Sequence, residues 1–306
     1  MKTTPILEDV TQLENPEIIS EIQRYIANNG PEEEEYQSFT MLVNELGQRI
    51  TDQKIEKEAV SGFVRNMQLL NDVKSIMGHI CQKPYGYAGD FSIIDRIYTR
   101  NASREYRKWD DYSLANSAAQ AVRNRKDYFK KVVSQKIHGQ GKLLNIASGP
   151  GRDLFEYYIE NPNSKVVTTC VELDREAIYY AGLLNKEFAS KIDFVNKNIL
   201  LYKATVKFDL IWSAGLFDYF NDRQFVVVLK SISRWLEPGG EIVIGNFNQE
   251  HNPSRLYMEL FGEWFLNHRT SDELMELAKQ AGFKDEHINV GHEPENVNLF
   301  LHLKRD

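Results

Sequence analysis

The stretch "LLNIASGPGRD", residues 143–153, decides the fold. Its first half is an apolar run of the kind that fills a strand buried on both faces. Its second half is a glycine-rich turn, and the helical pattern "LFEYYIEN" follows it. A strand, a glycine turn and a helix in that order let backbone approach a ligand closely at the carboxyl edge of a sheet. A dinucleotide fingerprint needs G-x-G-x-x-G. Gly149 and Gly151 supply the first two glycines, but Leu154 stands where the third belongs and Pro150 stiffens the turn. No G-K-[ST] follows, so the turn is not a phosphate-binding P-loop.

Downstream the pattern repeats. "KVVTTCVELD", "KIDFVNKNI", "FDLIWSAGLF" and "EIVIGNF" read as strands, with "REAIYYAGLLNKEF" and "RQFVVVLKSISRWL" as helices among them. Strands alternating with helices predict βαβ units and a parallel sheet. The end differs: the helix "SDELMELAKQAGF" is followed by two short strand-like runs, "HINVGHEP" and "NLFLHLKRD", expected to form a hairpin. Upstream the chain reads as helical, through "NPEIISEIQRYIANNG", "PEEEEYQSFTMLVNELGQRI", a long helix in "EKEAVSGFVRNMQLLNDVKSIMGHI", then "FSIIDRIYT" and "LANSAAQAVRNRKDYFKKVVSQKI". The change of pattern at "HGQGK" (138–142) places a boundary between a helical cap, 1–138, and an α/β domain, 139–306.

Candidate binding residues recur at the ends of successive strands. Glu172 closes the second strand, 21 residues after Gly151. A carboxylate there accepts hydrogen bonds from both hydroxyls of a ribose. Asp174, just before "REAIYY", fits a helix N-cap better. Asn198 and Ile199, after the third strand, offer a hydrogen bond and an apolar wall for an adenine ring. Ser213, Ala214 and Gly215 end the fourth strand ahead of apolar and aromatic residues suited to line a pocket.

In this order, and with "LEPGGEIVI" before the fifth strand, residues 139–306 resemble the class I S-adenosyl-L-methionine-dependent methyltransferases. The resemblance implies a Rossmann-like seven-stranded sheet with one antiparallel strand and S-adenosyl-L-methionine as cofactor. Gly149 and Gly151 would face its methionine part, Glu172 its ribose, and Asn198 and Ile199 its adenine. Ala147, Ser148, Asp153, Leu173, Ser213 and Ala214 complete the expected cofactor set. Two positions depart from the family pattern: Asn145 stands where an acid is usual, and Ala147 where the first glycine is usual. An asparagine cannot neutralise the cofactor's ammonium: either Asp153 substitutes for the acid or affinity for the cofactor is lower. "KPYGYAGD", "AVRNR", "SAGLFDYF" and "GNFNQEHNPSR" are similar to a bacterial branch described as biosynthesis proteins for an extracellular factor, a 3-hydroxy fatty acid methyl ester.

Composition agrees with a globular protein acting on small molecules or proteins. Of 306 residues, 42% are hydrophobic and 26% charged. The net charge of −7 and the lack of a basic block argue against nucleic acid. Two cysteines without metal-ligand spacing, no signal-peptide core and no long apolar run predict a cytoplasmic protein without a membrane span. The acceptor implied by the resemblance is a carboxylic acid, which is ionised at neutral pH and needs no general base. An amine or hydroxyl of another metabolite or of a protein side chain, and a non-catalytic cofactor-binding module, are the alternatives. Candidate residues on the acceptor side are Tyr87 and Asp90 in the glycine-rich turn "KPYGYAGDF" (83–91), Tyr219, His251 and Arg255. That turn suits a lid, or else Asp90 N-caps "FSIIDRIYT" and the tyrosines pack. Arg123 and Arg125 are further carboxylate holders. Spaced two apart on a helix, at most one of them is expected to point inward.

Overall fold

The structure, a computed structural model, describes residues 16–55, 60, 64, 65 and 67–305. The N-terminal "MKTTPILEDVTQLEN", on which the signal-peptide reading rests, and much of the expected long helix around residues 56–66 lie outside the described residues. The described helices before the sheet are α1 (Pro16–Ala27), α2 (Tyr36–Thr51), α3 (Ile76–Gln82), α4 (Phe91–Thr99), α5 (Arg107–Ala115) and α6 (Ser117–Lys136). The expected run through to Ile80 is broken. A 3-10 turn, Gln68–Asn71, ends it, and Ser75 starts α3 by accepting the Gly78 N–H at 2.8 Å.

From Gln140 onward strands and helices alternate: β1 (Gln140–Ile146), α7 (Arg152–Glu160), β2 (Lys165–Glu172), α8 (Arg175–Leu184), β3 (Ile192–Asn196), β4 (Phe208–Ser213), α9 (Asp222–Ser233) and β5 (Leu236–Phe247). Then come α10 (Arg255–Gly262), α11 (Ser271–Gln280), β6 (Ile288–His292) and β7 (Asn298–Lys304). The seven strands form one sheet in the order β3-β2-β1-β4-β5-β7-β6. Pairings from β3 to β5 are parallel, and β7 runs antiparallel to both β5 and β6. This is the Rossmann-like class I methyltransferase sheet expected from the sequence.

Side chains alternate across β1 and divide the core into two layers. Leu143 joins Trp212, Val243 and Phe300 on the face covered by α6 and α7, through Phe129, Val133, Leu154 and Tyr158. Leu144 and Ile146 turn to the other face, under Phe225 and Leu229 of α9 and Leu274 of α11. These residues are all at most 2% exposed, so the central strands are clad on both sides.

The chain divides into two compact units. One holds the described residues up to Ala119 together with Pro253–Phe265; the other holds Gln120–Asn252 and Leu266–Asp306. The boundary therefore falls inside α6 and not at the change of pattern near residue 138. The reason is packing: most of α6 buries its apolar side in the sheet's core. Within the helical unit, Phe39 is fully buried amid Tyr25, Trp109, Tyr112 and, from α10, Tyr257 and Phe261, with ring centroids 4.9–6.3 Å away. Edge-to-face aromatic packing of this kind explains why a segment that follows β5 belongs to the helical unit.

Candidate active site

The strand order reverses at β1, whose neighbours are β2 on one side and β4 on the other. Helices then leave the sheet in opposite directions and open a crevice at the carboxyl ends, where open α/β sheets bind their ligands. The turn after β1 is built to be tight. Ala147, Gly149 and Gly151 all have left-handed backbone, with φ of 54°, 53° and 64°. The Ala147 N–H donates to the Val171 carbonyl at 2.8 Å and pins the bend to β2. At Gly151 a Cβ would lie 3.1 Å from Asn185 Nδ2 and 3.2 Å from the Ala181 Cβ, so this glycine seats the turn on α8. At Gly149 a Cβ would meet nothing within 4 Å. The turn packs down on its Gly151 side and is open at Gly149.

Glu172 closes β2 beside that opening. Its Oε2 accepts the Gly149 N–H at 3.0 Å, and its Oε1 accepts those of Leu173 and Asp174 at 2.8 and 3.0 Å. Burial pushes its pKa up, and the three N–H groups oppose that rise. A carboxylate has about four acceptor sites, so the group is fixed in place with capacity left for a ligand hydroxyl. Asp174 N-caps α8 through the Glu176 N–H at 2.8 Å. Leu173 is exposed on the rim. Asn198 Oδ1 accepts the Leu200 N–H at 2.9 Å, while Ile199 is buried in the core with Ile146 and Val171. Ser213 Oγ donates to the Ile146 carbonyl at 3.2 Å and ties β4 to β1 where the crevice opens.

A polar group that sequence reasoning only half found sits over the same edge, on the α6 face. Phe129 of α6 packs on Trp212, with centroids 5.3 Å apart, and Tyr128 stacks on Phe300 at 3.9 Å. One turn earlier, Arg125 Nη1 donates to the Ala214 carbonyl at 3.0 Å. A Cβ on Gly215 would lie 3.4 Å from that nitrogen. Arg125 also interacts electrostatically with two buried carboxyls, Asp153 and Asp218. Burial pushes each to about 6, against the pull of Arg125 and of the Leu154 or Phe247 N–H. Asn145 lies on this face, level with Trp212, and its Nδ2 is buried without a hydrogen-bond partner. Arg123 and Arg125 are both buried, contrary to the expectation that at most one would be, because the first half of α6 is covered nearly all round.

The acceptor-side candidates divide between the units. Tyr219, in a 3-10 turn after β4, and His251, after β5, are exposed residues of the sheet unit. Arg255 begins α10 in the helical unit and pairs with Glu259 at 2.7 Å. Asp90 is fully buried: Oδ1 accepts the Ile93 N–H that starts α4 at 2.9 Å, and Oδ2 meets His79 Nε2 at 2.7 Å. Tyr85 packs its ring 4.7 Å from that of Phe91. In the turn "KPYGYAGDF", Asp90 and Tyr85 thus have cap and packing roles, and Asp90 has both oxygens engaged inside its own unit. Tyr87, partly buried in the same turn, also belongs to the helical unit.

Residues 137–282 match the family model of a methyltransferase domain. This part of the chain is a methyltransferase domain. Comparison with curated proteins gives no match. Among solved structures, a possible exported protein of Bordetella parapertussis aligns with TM-score 0.61 at 16% identity, over 71% of this chain and 79% of that one. The S-adenosylmethionine-dependent methyltransferase SibL aligns with TM-score 0.53 at 12% identity, over 85% and 77%. A candidate O-methyltransferase of Nostoc punctiforme PCC 73102 aligns with TM-score 0.53 at 15% identity, over 76% and 72%. At such identities the likeness is one of fold. Among the described residues, no helix is long and apolar enough to cross a membrane.

Proposed function

We propose that the chain transfers a methyl group from S-adenosyl-L-methionine to the carboxylate of a small acyl substrate, a 3-hydroxy fatty acid or a related acid, giving a methyl ester. The observation that carries the cofactor half is the Glu172 carboxylate, held by three backbone N–H groups beside the open face of Gly149. A fixed carboxylate with acceptor capacity left suits a ribose hydroxyl, and an unobstructed glycine turn suits a ligand lying close along it. The acceptor half rests on the resemblance to the extracellular-factor proteins and on the chemistry. The bound cofactor supplies an electrophilic methyl on a sulfonium.

The protein's part is to position the acceptor in line with that methyl and to exclude water. A carboxylate nucleophile has no proton to lose near neutral pH, so no general base is required of Tyr219 or His251. Their proposed role is to contact the acceptor. A cytoplasmic location fits two free thiols, buried Cys170 and partly buried Cys81.

The test is direct. Purified protein is incubated with methyl-labelled cofactor and a panel of fatty acids, 3-hydroxy fatty acids, amines and phenols. The expected outcome is a gain of one methyl on an acid, in a product that mild base hydrolyses. A base-stable product on an amine or phenol overturns the acceptor assignment. Glu172→Ala is expected to weaken cofactor binding by about 10- to 100-fold, the worth of a charge-assisted bond to a hydroxyl pair. Unchanged affinity removes Glu172 from the ribose role.

A further inference from the structure

We propose that Arg125 and Asp153 together form the subsite for the amino-acid end of the cofactor, with Arg125 and Asn145 Nδ2 taking its carboxylate and Asp153 its ammonium. The proposal rests on the S-adenosyl-L-methionine reading and goes beyond it by naming what replaces the missing acid at position 145.

Four observations converge. The ribose anchor, Glu172, is at the end of β2, so a ligand lying across the turn after β1 brings its far end towards β4. Arg125 is fixed there by its bond to the Ala214 carbonyl, next to Gly215. Asp153, in the first turn of α7 directly after the glycine turn, is 8% exposed and interacts electrostatically with that guanidinium. Asn145, on the same face of the sheet, keeps a buried amide N–H without an acceptor. Buried donors are rarely left unpaired, and such a group points to a ligand that completes it.

The chemistry is complementary at both ends. An α-amino acid is a zwitterion, and the crevice offers a guanidinium and an amide donor beside a carboxyl. Asparagine donates where an acid would repel a carboxylate, so the unpaired Nδ2 of Asn145 is suited to the anionic end. Burial raises the Asp153 pKa even against the pull of Arg125, and an incoming ammonium offsets that penalty further. Arg125 is suited to a carboxylate because a planar guanidinium matches carboxylate geometry, and its bond to the Ala214 carbonyl holds it in place.

Calorimetric titration with two nucleosides tests the assignment. S-adenosylhomocysteine carries the amino-acid end, and 5′-methylthioadenosine lacks it. For Arg125→Gln, S-adenosylhomocysteine affinity is expected to fall by about 10- to 100-fold while methylthioadenosine affinity stays within about twofold of wild type. Arg125→Lys is expected to recover part of the loss. Equal losses for both nucleosides, or no loss for either, overturn the proposal. Arg125 also holds the Ala214 carbonyl, so Asp153→Asn serves as a second variant that keeps the side chain's size and an oxygen for the Leu154 N–H. It is expected to show the same selective loss, and an affinity for S-adenosylhomocysteine equal to wild type overturns the ammonium half. Wild-type protein that binds neither nucleoside overturns the cofactor reading itself, whereas a wild type that binds both with equal affinity overturns the amino-acid subsite alone.

Discussion

At the scale of single residues, Ala147 is the position where backbone and side chain disagree. Its φ of 54° is left-handed, and its N–H is committed to Val171, so the turn cannot relax. A non-glycine residue in that region costs about 1–2 kcal/mol. Glycine removes the cost but adds about 0.4–1 kcal/mol of unfolded-state entropy. Ala147→Gly is therefore expected to stabilise the protein by about 0.5–1 kcal/mol, read as a higher urea midpoint at unchanged slope. A lower midpoint would show that the alanine methyl contributes packing that outweighs its strain. The same residue shows what a sequence discloses about a site. Gly149, Gly151 and Glu172 could be singled out as candidates beforehand because a tight turn and a strand tip demand those residue types. Arg125 could be named only together with Arg123, because "AVRNR" reads equally as a solvated helix face, and the packing of Tyr128 and Phe129 on the sheet shows which way that part of the helix faces.

Among elements, one buried arginine joins several. Arg269, 4% exposed in the segment after α10, follows a backbone link to the end of β5. Its Nη1 donates to the Phe217 carbonyl at 3.3 Å and Asn246 Oδ1 at 2.9 Å; its Nη2 donates to the Phe220 carbonyl at 2.6 Å and Asp222 Oδ1 at 3.0 Å. The turn after β4, the start of α9 and the end of β5 are thereby held by one side chain. Arg269→Met keeps much of the length but strips donors from buried acceptors, and is expected to cost about 3 kcal/mol. Arg269→Lys should regain less than half, since an ammonium cannot span the fork. Full stability in the methionine variant, by urea unfolding, would sink this account. The βαβ rhythm around these loops was legible because doubly covered strands read as continuous apolar runs. The unit boundary was not. Periodicity reveals that α6 and α10 have apolar faces, but not which core receives them, and α6 joins the sheet while α10 joins Phe39.

Over the whole molecule, the two carboxyls facing Arg125 set a pH dependence. Asp153 and Asp218 have folded pKa values of about 6, raised by burial from 3.8. In the unfolded chain both return to the ordinary carboxylate range, so between pH 4 and 6 the folded state binds more protons than the unfolded one. Stability from these groups is therefore fully present below the unfolded pKa and is lost as pH rises through about 6. Each contributes a change on the order of 3 kcal/mol across that window. Glu241 works in the opposite sense: burial raises it, but bonds from His302 and Lys136 outweigh burial and leave its pKa lowered, so its stabilisation fades as pH falls. The variant that isolates the effect is Asp218→Asn, because an amide oxygen still accepts the Phe247 N–H that Asp218 Oδ1 accepts at 2.7 Å. Relative to wild type, its stability is expected to gain between pH 4 and 6, with the difference growing as pH rises and levelling once pH has passed about 6. Urea midpoints at a series of pH values give this difference curve. A difference that is flat across the window, or that shrinks towards neutral pH, means that Asp218 is charged in the folded protein throughout and that Arg125 and Arg269 outweigh its burial.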